Sequence, residues 1–255
     1  MNTNLSQLIL SLFPGVDLLG RGFEAEGYSV VRGPDPLFGG DIRGFHVPTG
    51  RFDGIIGGPP CQDFSKARRG SPTGYGLEMI GEYVRIVEQA RPTWWLMENV
   101  PGVPDVRIVG YSHQRIDLNS RELGSTQNRL RHFQFGHAHG DVITVPRGAK
   151  SEAWEPCCIA SEGKRQGKRD WLRFCKLQGI SDDINLSSLK LSARYKAVGN
   201  GVPVYMAQAL ARAILAAQPA DAIRVCGCGC GRVVTGRATY AIAACRKRIQ
   251  RRKEL

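Results

Sequence analysis

Short apolar runs alternate with amphipathic segments through the first hundred residues of the chain. The runs are predicted strands, and they cover residues 6–13, 28–35, 52–58 and 93–100. Residues 17–27 and 76–92, which lie between them, have apolar side chains at helical spacing. Because strands and helices follow one another in turn, the pattern predicts an α/β fold with a mostly parallel sheet and helices on both faces.

The second half of the chain is less regular. Residues 137–170 show no sustained period and are rich in Gly, Lys, Pro and Ser, which predicts an irregular insertion. Two helices are predicted after it, at residues 171–179 and 202–218, with a Gly-Asn-Gly turn between them. Pro219 closes this part, and a cysteine-rich basic tail follows at residues 220–255.

Four residues lie at the carboxyl ends of the predicted strands. Gly15 and Cys61 stand just beyond a strand, whereas Asp35 and Glu98 stand at the end of one. In open α/β sheets the carboxyl ends of parallel strands share one edge, and ligands bind there. We therefore expect these four positions to surround a ligand site.

The net charge of +12 is unevenly distributed along the 255 residues. Between Arg224 and Leu255 there are nine Arg or Lys residues against one Glu, so this segment supplies +8 of the +12. Clustered basic side chains displace counterions from phosphates, which indicates a nucleic-acid partner. The alternative is a solvated basic tail that aids solubility.

No stretch of the sequence reaches the roughly eighteen consecutive apolar residues that a membrane span needs. The N-terminal stretch MNTNLSQLILSLFPG lacks the basic start and the cleavage site of a signal peptide. We therefore expect a protein of the cytoplasm, without a membrane partner.

Cys61 stands in an unusually stiff stretch, GGPPCQDFS, at residues 57–65. The chain has eight cysteines, which in the cytoplasm are not expected to form a disulfide framework. The two glycines allow close approach of the backbone and the two prolines fix φ, so the thiol is presented from a rigid turn. This setting favours a reactive thiol over a buried, inert one.

The stretch GGPPCQDFS resembles the catalytic loop of the cytosine-5 DNA methyltransferases. Other motifs of that family surround it in the family's order: SLFPGVDLLGRGFEAEGY at 11–28, MENV at 97–100, TQNRLRHFQFG at 126–136, LQGISDD at 177–183 and YKAVGNGVPV at 195–204. The resemblance spans residues 8–217 and implies a Rossmann-like S-adenosylmethionine-dependent methyltransferase fold. It implies a catalytic and cofactor-binding part at 1–136, a reduced target-recognition region at 137–170, the end of the catalytic fold at 171–219 and an appended tail at 220–255.

The resemblance implies a covalent mechanism. Cys61 would add to carbon 6 of cytosine, which makes carbon 5 nucleophilic enough to take a methyl group from S-adenosylmethionine. Glu98 would hold a proton and donate it toward N3, and burial raises a carboxyl pKa in the direction needed. Arg129 and Arg131, which we expect on one face of a strand, would between them steady the cysteine and donate to O2 of the base. Asn99 is expected to order the loop by hydrogen bonding.

The resemblance also places a cofactor site at the first loop. The residues that it implies are Phe13, Gly15, Asp35, Asp41, Pro60 and Asn200. Phe13 would pack on the adenine, Asp35 would accept from the ribose hydroxyls and Asp41 from the adenine amino group. The chain departs from the family pattern here, since Pro14 and Asp17 stand where glycine is common and Asp35 stands where Glu is usual. The shorter Asp35 side chain predicts a long or water-bridged ribose contact.

The region that selects the target sequence in this family is short in this chain. The base must rotate out of the duplex to reach the cysteine, and the loop after the prolines is expected to close over it. The expected DNA contacts are Gln62, Ser65 and Arg68 in that loop, and Lys164, Arg165, Lys168 and Arg169 at the phosphates. The resemblance implies a small bacterial or phage enzyme of restriction–modification type, and we expect a monomer in solution.

The cysteines of the tail have two interpretations. Cys226, Cys228, Cys230 and Cys245 are either the ligands of one tetrahedral zinc ion or reduced, unliganded thiols. Two Cys-x-Cys steps place three ligands close together, and Ala241 stands where a better-placed fourth ligand is expected.

Two other functions stay open at the level of the sequence. The first is methylation of RNA, because relatives that act on transfer RNA also have a reduced recognition region. The second is a catalytically inactive relative that binds DNA, because a fold does not by itself establish turnover. The residues also do not distinguish methyl from another group on a modified cofactor.

Overall fold

The computed structural model describes residues 6–65, 70–181, 184–220, 224–234 and 238–253. Its strands are β1 Leu8–Leu12, β2 Ser29–Arg32, β3 Gly54–Gly57, β4 Trp94–Asn99, β5 Gln114–Asn119, β6 Gln127–Asn128, β7 Leu130–His137 and β8 Glu155–Pro156. Its helices are α1 Leu18–Glu24, α2 Tyr75–Ala90, α3 Trp171–Leu177, α4 Leu191–Asn200, α5 Val204–Leu215 and α6 Ala243–Lys253. Each helix in these ranges is too short or too polar to span a lipid bilayer.

The central sheet has six strands in the order β2-β1-β3-β4-β7-β5, and β6 pairs separately with β8. Strands β1 to β4 are parallel, whereas β7 runs antiparallel to both β4 and β5. The predicted mostly parallel sheet is therefore confirmed. Because β2 lies on one side of β1 and β3 on the other, the strand order reverses at β1, which is where open α/β sheets bind ligands.

Alternate residues of the central strands are buried on opposite faces of the sheet. Ile9 and Leu96 belong to the core that α1 and α5 cover, whereas Leu10 and Trp95 belong to the core that α2 covers. Helices α1 and α5 come very close, since a Cβ built on Gly22 would lie 2.3 Å from the Cβ of Ala207. The prediction of helices on both faces is confirmed.

Strand β5 and helix α4 are among the elements that the hydrophobic pattern did not predict. Strand β5 buries polar side chains, among them Gln114 and Asn119, so its sequence contains no apolar run. Helix α4 takes up Gly199 and Asn200, which the sequence pattern assigns to a turn. Gly199 is needed there because a Cβ would lie 2.8 Å from the carbonyl carbon of Ile159.

The segment 137–170 is irregular, as predicted, but it is packed onto the main fold. Ile143 and Val145 are buried in the core beside α5, and Val142 pairs with Gln218. Cys158 lies in a further core with the residues of α3 and α4. The segment therefore packs against α3, α4 and α5 of the main fold.

Candidate active site

Four strands bring the predicted site residues to one edge of the sheet. Asp35 and Cys61 lie beyond the carboxyl ends of β2 and β3, and Glu98 lies at the carboxyl end of β4. Strand β7 is antiparallel, so its first residues reach the same edge, with His132 opposite Asn99. Arg131 at the start of β7 is thereby placed beside Glu98.

Cys61 lies on an anchored turn. The residue is half-buried, and it precedes a short 3-10 turn at Gln62–Phe64. Its φ of −98° and ψ of 2° fall in a sparsely populated region where many active-site residues lie. Asp63 fixes the turn, because its carboxylate accepts from the backbone N–H groups of Thr73 and Gly76, each at 2.9 Å. The start of α2 thus holds the loop that carries the thiol.

Asn99 ties this loop to β4. Its Nδ2 donates to the carbonyl of Pro59 at 3.1 Å, and its Oδ1 accepts from the N–H of Val100 at 2.9 Å. The ordering role predicted for Asn99 is therefore confirmed. Gly58 lies so close to Glu98 that a Cβ built on it would be 3.1 Å from Oε2. The second glycine of GGPPC thus allows the loop to approach the acid.

Glu98 is buried beside an arginine. It is 9% exposed, and its Oε1 lies 3.0 Å from Nε of Arg131. Burial raises the pKa of the Glu98 carboxyl above its ordinary value, and the charges of Arg131 and Arg129 limit that rise. Glu98 therefore keeps its proton to a higher pH than an exposed glutamate, as an acid that donates a hydrogen bond must.

The thiol of Cys61 responds to the same charges. Burial raises its pKa, the negative charge of Glu98 raises it further, and Arg131 lowers it. An ionised Glu98 therefore adds to the effect of burial in disfavouring the thiolate, whereas a protonated Glu98 leaves the charge of Arg131 to offset part of that effect. A thiolate beside a neutral acid is the pair that nucleophilic addition to an unsaturated ring requires.

The expectation that Arg129 and Arg131 share one face of one strand is wrong. Arg129 lies between β6 and β7, and it is fully buried. Its Nη1 donates to the carbonyl of Cys158 at 2.7 Å, and its Nη2 donates to the carbonyls of Gly199 and Gly201 at 3.1 and 2.8 Å. Since these donors are used inside the protein, Arg129 does not reach a base. It acts on Cys61 through its charge, and it holds the start of β7 against the end of α4.

Replacing Arg129 by lysine is expected to lower the free energy of unfolding by about 3 kcal/mol. A single ammonium group cannot donate at once to the carbonyl of Cys158, which Nη1 binds, and to those of Gly199 and Gly201, which Nη2 binds. Urea denaturation followed by tryptophan fluorescence measures this change. The control is Arg165→Lys at an exposed position, which we expect to stay within about 0.5 kcal/mol of the wild type. Equal stability of the two variants would contradict the role of Arg129 as a buried clamp.

The first loop has an unusual backbone. The φ angles of Phe13 and Gly15 are 54° and 55°, and left-handed conformations of non-glycine residues cluster at ligand sites. The N–H of Gly15 donates to Oδ2 of Asp35 at 2.9 Å, so the loop and this carboxylate meet. A Cβ built on Gly15 would have no atom within 4 Å, which leaves the loop facing open space. The ring of Phe13, the open turn at Gly15 and the carboxylate of Asp35 after β2 together fit a nucleoside cofactor.

Asp17 has a structural role that sequence reasoning missed. With φ of 51° it caps α1 and accepts from the N–H of Gly20 at 2.9 Å. It also accepts from the hydroxyl of Ser11 at 2.8 Å and lies 2.8 Å from Nε of Arg32. The sequence signal for this role is an Asp directly before a helical pattern. The loop is therefore held by a buried carboxylate, in place of the further glycine that is common in the family.

The other predicted cofactor residues lie nearby with fewer contacts. Pro60 is half-buried beside the thiol. Asp41 is exposed, and its carboxylate accepts from the backbone and the guanidinium of Arg43 at 3.0 and 2.9 Å. Asn200 is exposed at the end of α4, where the following Gly201 packs on α1. Contact of these residues with a cofactor stays a prediction.

The predicted DNA residues separate into three groups. Gln62, Lys164, Arg165 and Lys168 are exposed and Ser65 is half-buried, whereas Arg68 lies outside the described residues. The phosphate contact of Arg169 stays a prediction, and in the structure its guanidinium is engaged within the protein. Its Nη1 donates to both carboxylate oxygens of Glu162 at 2.8 Å, and its Nη2 donates to the carbonyl of Pro156 at 2.6 Å. Arg169 holds its own segment together because buried Glu162 needs a cation.

Two buried glutamines connect the motifs behind the site. Gln127 donates through Nε2 to the carbonyl of Leu177 at 2.6 Å and to Oε1 of Gln178 at 3.1 Å. Gln178 in turn donates to the carbonyl of Val198 at 2.7 Å. These bonds join the motifs at 126–136, 177–183 and 195–204. Sequence reasoning identified the motifs but missed Gln178 as their link.

Comparison with known proteins agrees with this arrangement. The family described as C-5 cytosine-specific DNA methylase matches residues 38–156. The type II methyltransferase M.AquIA of Picosynechococcus is 32% identical over 190 residues, which cover 56% of this chain and 76% of that protein. The type II methyltransferase M.NgoPII of Neisseria gonorrhoeae is 32% identical over 179 residues, with 56% and 52% covered.

Most of these relatives are longer than the chain. M.AgeI of Thalassovita gelatinovora, a type II methyltransferase, is 29% identical over 176 residues, which are 54% of this chain and 41% of that protein. The chain therefore spans about half the length of the curated relatives M.AgeI, M.HgiDI and M.NgoPII.

Two solved structures share the fold. A methyltransferase of Entamoeba histolytica aligns with a TM-score of 0.61 at 11% identity, over 83% of this chain and 98% of that chain. The Dnmt2 methyltransferase of S. pombe aligns with a TM-score of 0.60 at 11% identity, over 82% and 99%. The fold is thus the Rossmann-like fold of S-adenosylmethionine-dependent methyltransferases, as predicted.

Proposed function

The chain belongs to the C-5 cytosine-specific DNA methylase family, and from that premise we propose that it transfers a methyl group from S-adenosylmethionine to carbon 5 of cytosine in DNA. DNA is its macromolecular partner, it acts as a monomer in the cytoplasm, and its reaction is the modification step of a restriction–modification type system.

The observation that carries this proposal is the meeting of three side chains at one edge of the sheet. A half-buried thiol, a buried carboxyl and a guanidinium lie there together as Cys61, Glu98 and Arg131. The arginine is 3.0 Å from the acid, and the charges of both affect the thiol. This combination supplies a nucleophile, an acid and a hydrogen-bond donor on one side of a ring-sized target.

Each of the three residues has one task in the reaction. The Cys61 thiol loses its proton to water, the resulting thiolate forms a bond from Sγ to carbon 6, and the electrons of the C5–C6 double bond shift through C4 toward N3, which takes the proton of Glu98. Arg131 donates to O2 and stabilises the charge that develops there. After carbon 5 has taken the methyl group, water removes the C5 proton, the bond from Sγ to carbon 6 breaks, and N3 returns its proton to Glu98.

The loop of Phe13, Gly15 and Asp35 holds the cofactor in this proposal. Phe13 stacks on the adenine, the Gly15 turn admits the methionine end, and Asp35 accepts from the ribose hydroxyls. S-adenosylmethionine supplies an electrophilic methyl group when it is bound. Asp35 already accepts from the N–H of Gly15, so it is oriented before the cofactor arrives.

Uptake of tritium from labelled S-adenosylmethionine tests the proposal. Duplex DNA and a transfer RNA pool are offered separately, and the product bases are identified by chromatography. We expect label in 5-methylcytosine of DNA only. Preferential label in RNA would support an RNA methyltransferase, and DNA binding without label in either substrate would support an inactive relative. Both results would contradict the proposal.

The basic tail is proposed to contribute phosphate contacts that the short segment 137–170 does not supply. Arg246 and Lys247 are exposed on α6. Replacing both by glutamine is expected to make the slope of log K against log salt shallower by up to about 2, since each phosphate contact contributes about 0.9. Fluorescence anisotropy of labelled duplex DNA at several salt concentrations measures this slope.

A matched control separates local contacts from net charge. Arg51 and Arg91 are exposed and lie next to β3 and β4 at the opposite edge of the sheet. The double variant Arg51→Gln, Arg91→Gln loses the same charge, and we expect its slope to stay unchanged. An equal change in both double variants would show that α6 makes no specific phosphate contact.

A further inference from the structure

The tail brings four buried thiols into one cluster. The sulfur atoms of Cys226, Cys228, Cys230 and Cys245 all lie within 4.8 Å of one another, and each residue is at most 5% exposed. The distance is 3.5 Å between Cys226 and Cys228 and 3.8 Å between Cys230 and Cys245. Four sulfurs placed tetrahedrally at about 2.3 Å from a zinc ion are about 3.8 Å apart. We propose that these cysteines bind one Zn²⁺, which fastens the tail to the edge strand β5 of the sheet.

The backbone explains how such close cysteines share one centre. Val225 pairs with Val233, and the intervening chain turns through Gly229 and Gly231, whose φ angles are 75° and 72°. Glycine adopts these angles without steric cost, so the three neighbouring thiols can point to one place. Cys245 supplies the fourth thiol from the first turn of α6.

A fourth metal-binding side chain is expected at the position of Ala241, but in the structure Cys245 supplies the fourth thiol of the cluster. Ala241 contributes its backbone, since its N–H donates to Sγ of Cys226 at 3.2 Å. Backbone N–H groups that point at sulfur stabilise a thiolate, which is the form that binds a metal.

A cation lies beside the sulfur atoms. Nη1 of Arg232 is 3.4 Å from Sγ of Cys230 and 3.6 Å from Sγ of Cys245, and Nη2 is 2.5 Å from Oδ2 of Asp117. Four thiolates around Zn²⁺ carry a net charge of −2, so a guanidinium at this position offsets part of it. The same side chain connects the proposed metal centre to β5.

The tail closes the edge of the sheet. The N–H of Arg115 in β5 donates to the carbonyl of Cys230 at 2.9 Å. Gly231 approaches so closely that a Cβ would lie 2.2 Å from the carbonyl oxygen of His113. An edge strand with unpaired N–H groups invites pairing with other chains, and this contact covers it. Asp117 also accepts from His132, the residue after Arg131, so the tail is linked to the strand that carries the site.

Neither disulfide bonds nor reduced thiols without a metal explain this arrangement. Disulfides need sulfurs about 2.05 Å apart and an oxidant, and the cytoplasm is reducing. Without a metal, reduced thiols leave the described residues 224–234 and 238–253 with a core whose other members are Val234, Tyr240, Ala241 and Ile249. Units below about 40 residues seldom fold on so few apolar contacts without a metal or a disulfide.

The first test is the metal content of the full chain, purified without a metal-affinity resin. We expect one zinc per chain by plasma mass spectrometry, and the intense visible absorption of tetrahedral thiolate-bound Co²⁺ after exchange. Cys245→Ser is expected to lose the zinc, and the control Cys175→Ala, which removes a buried thiol from α3, is expected to keep it. Absence of zinc together with absence of the Co²⁺ absorption in the wild type would overturn the proposal even if Cys245→Ser fails to fold.

The second test concerns the fastening to β5. Removal of the metal by a chelator is expected to speed hydrogen exchange of the Arg115 amide at least tenfold, while the Ile55 amide in the centre of the sheet stays protected. Arg232→Gln is expected to weaken zinc affinity about 10- to 100-fold. Unchanged exchange at Arg115 after complete removal of zinc would show that the metal does not hold the tail on the sheet.

Discussion

Replacing Cys61 by serine is expected to reduce methyl transfer to DNA on the order of a thousandfold or more, since loss of a covalent nucleophile removes the route through the adduct. Serine keeps the size of the side chain, but its hydroxyl is far harder to ionise than a thiol in a site that already raises the pKa of Cys61. The measurement is the single-turnover rate of tritium transfer at saturating cofactor and DNA.

The comparison variant for this loss is Cys175→Ala. It removes a buried thiol from α3, outside the residues placed in the site, and we expect its rate to stay within about twofold of the wild type because rate is measured on folded protein at saturating substrates. DNA affinity of Cys61→Ser is expected to be unchanged. A Cys61→Ser enzyme as fast as the wild type would end the covalent mechanism.

Replacing Glu98 by glutamine is expected to lower the transfer rate by about 10²- to 10⁴-fold, the usual contribution of a positioned acid. Glutamine can still donate a hydrogen bond to N3 but cannot give up a proton. It also removes the negative charge that faces Arg131 at 3.0 Å, while the size of the side chain and an acceptor oxygen are kept. Glu88→Gln at an exposed position of α2 is the control, and we expect it to retain full activity.

The same variant has an effect of opposite sign on the thiol. Because the Glu98 charge raises the pKa of Cys61, its removal is expected to lower that pKa, so alkylation of Cys61 begins at lower pH than in the wild type. The alkylation rate of the Cys61 peptide is followed by mass spectrometry against pH. A slower transfer with a more reactive thiol separates the acid from a merely structural residue. An unchanged alkylation profile would contradict the coupling between the two groups.

The sequence predicted the parallel half of the sheet well because β1, β3 and β4 are apolar on both faces. The carboxyl ends of these strands therefore predict that Cys61 and Glu98 lie at one edge of the sheet, as they do in the structure. Strand β5 escaped prediction for a physical reason: it is buried between β7 and the tail, and buried polar side chains replace the apolar run that marks a strand.

Arginine roles could not be predicted from sequence spacing. Arg129, Arg131 and Arg169 look alike in the sequence, where each has polar neighbours. In the structure Arg129 donates to backbone carbonyls, whereas Arg131 pairs with Glu98 and Arg169 with Glu162. A guanidinium has five donors, and only the three-dimensional positions of acceptors decide which of them remain for a ligand. The tail cysteines have a spacing in the sequence that is unusual for a metal site. The turns at Gly229 and Gly231 nevertheless bring their sulfur atoms together in the structure.

The most direct test of covalent catalysis uses duplex DNA in which the target cytosine is replaced by 5-fluorocytosine. Fluorine at carbon 5 cannot leave as a proton, so the bond between Sγ and carbon 6 is not released after methyl transfer. We predict a denaturant-resistant complex that forms only with S-adenosylmethionine and whose cross-linked peptide contains Cys61. Methylation of ordinary cytosine without any such complex, or a cross-link at another cysteine, would contradict the proposed mechanism.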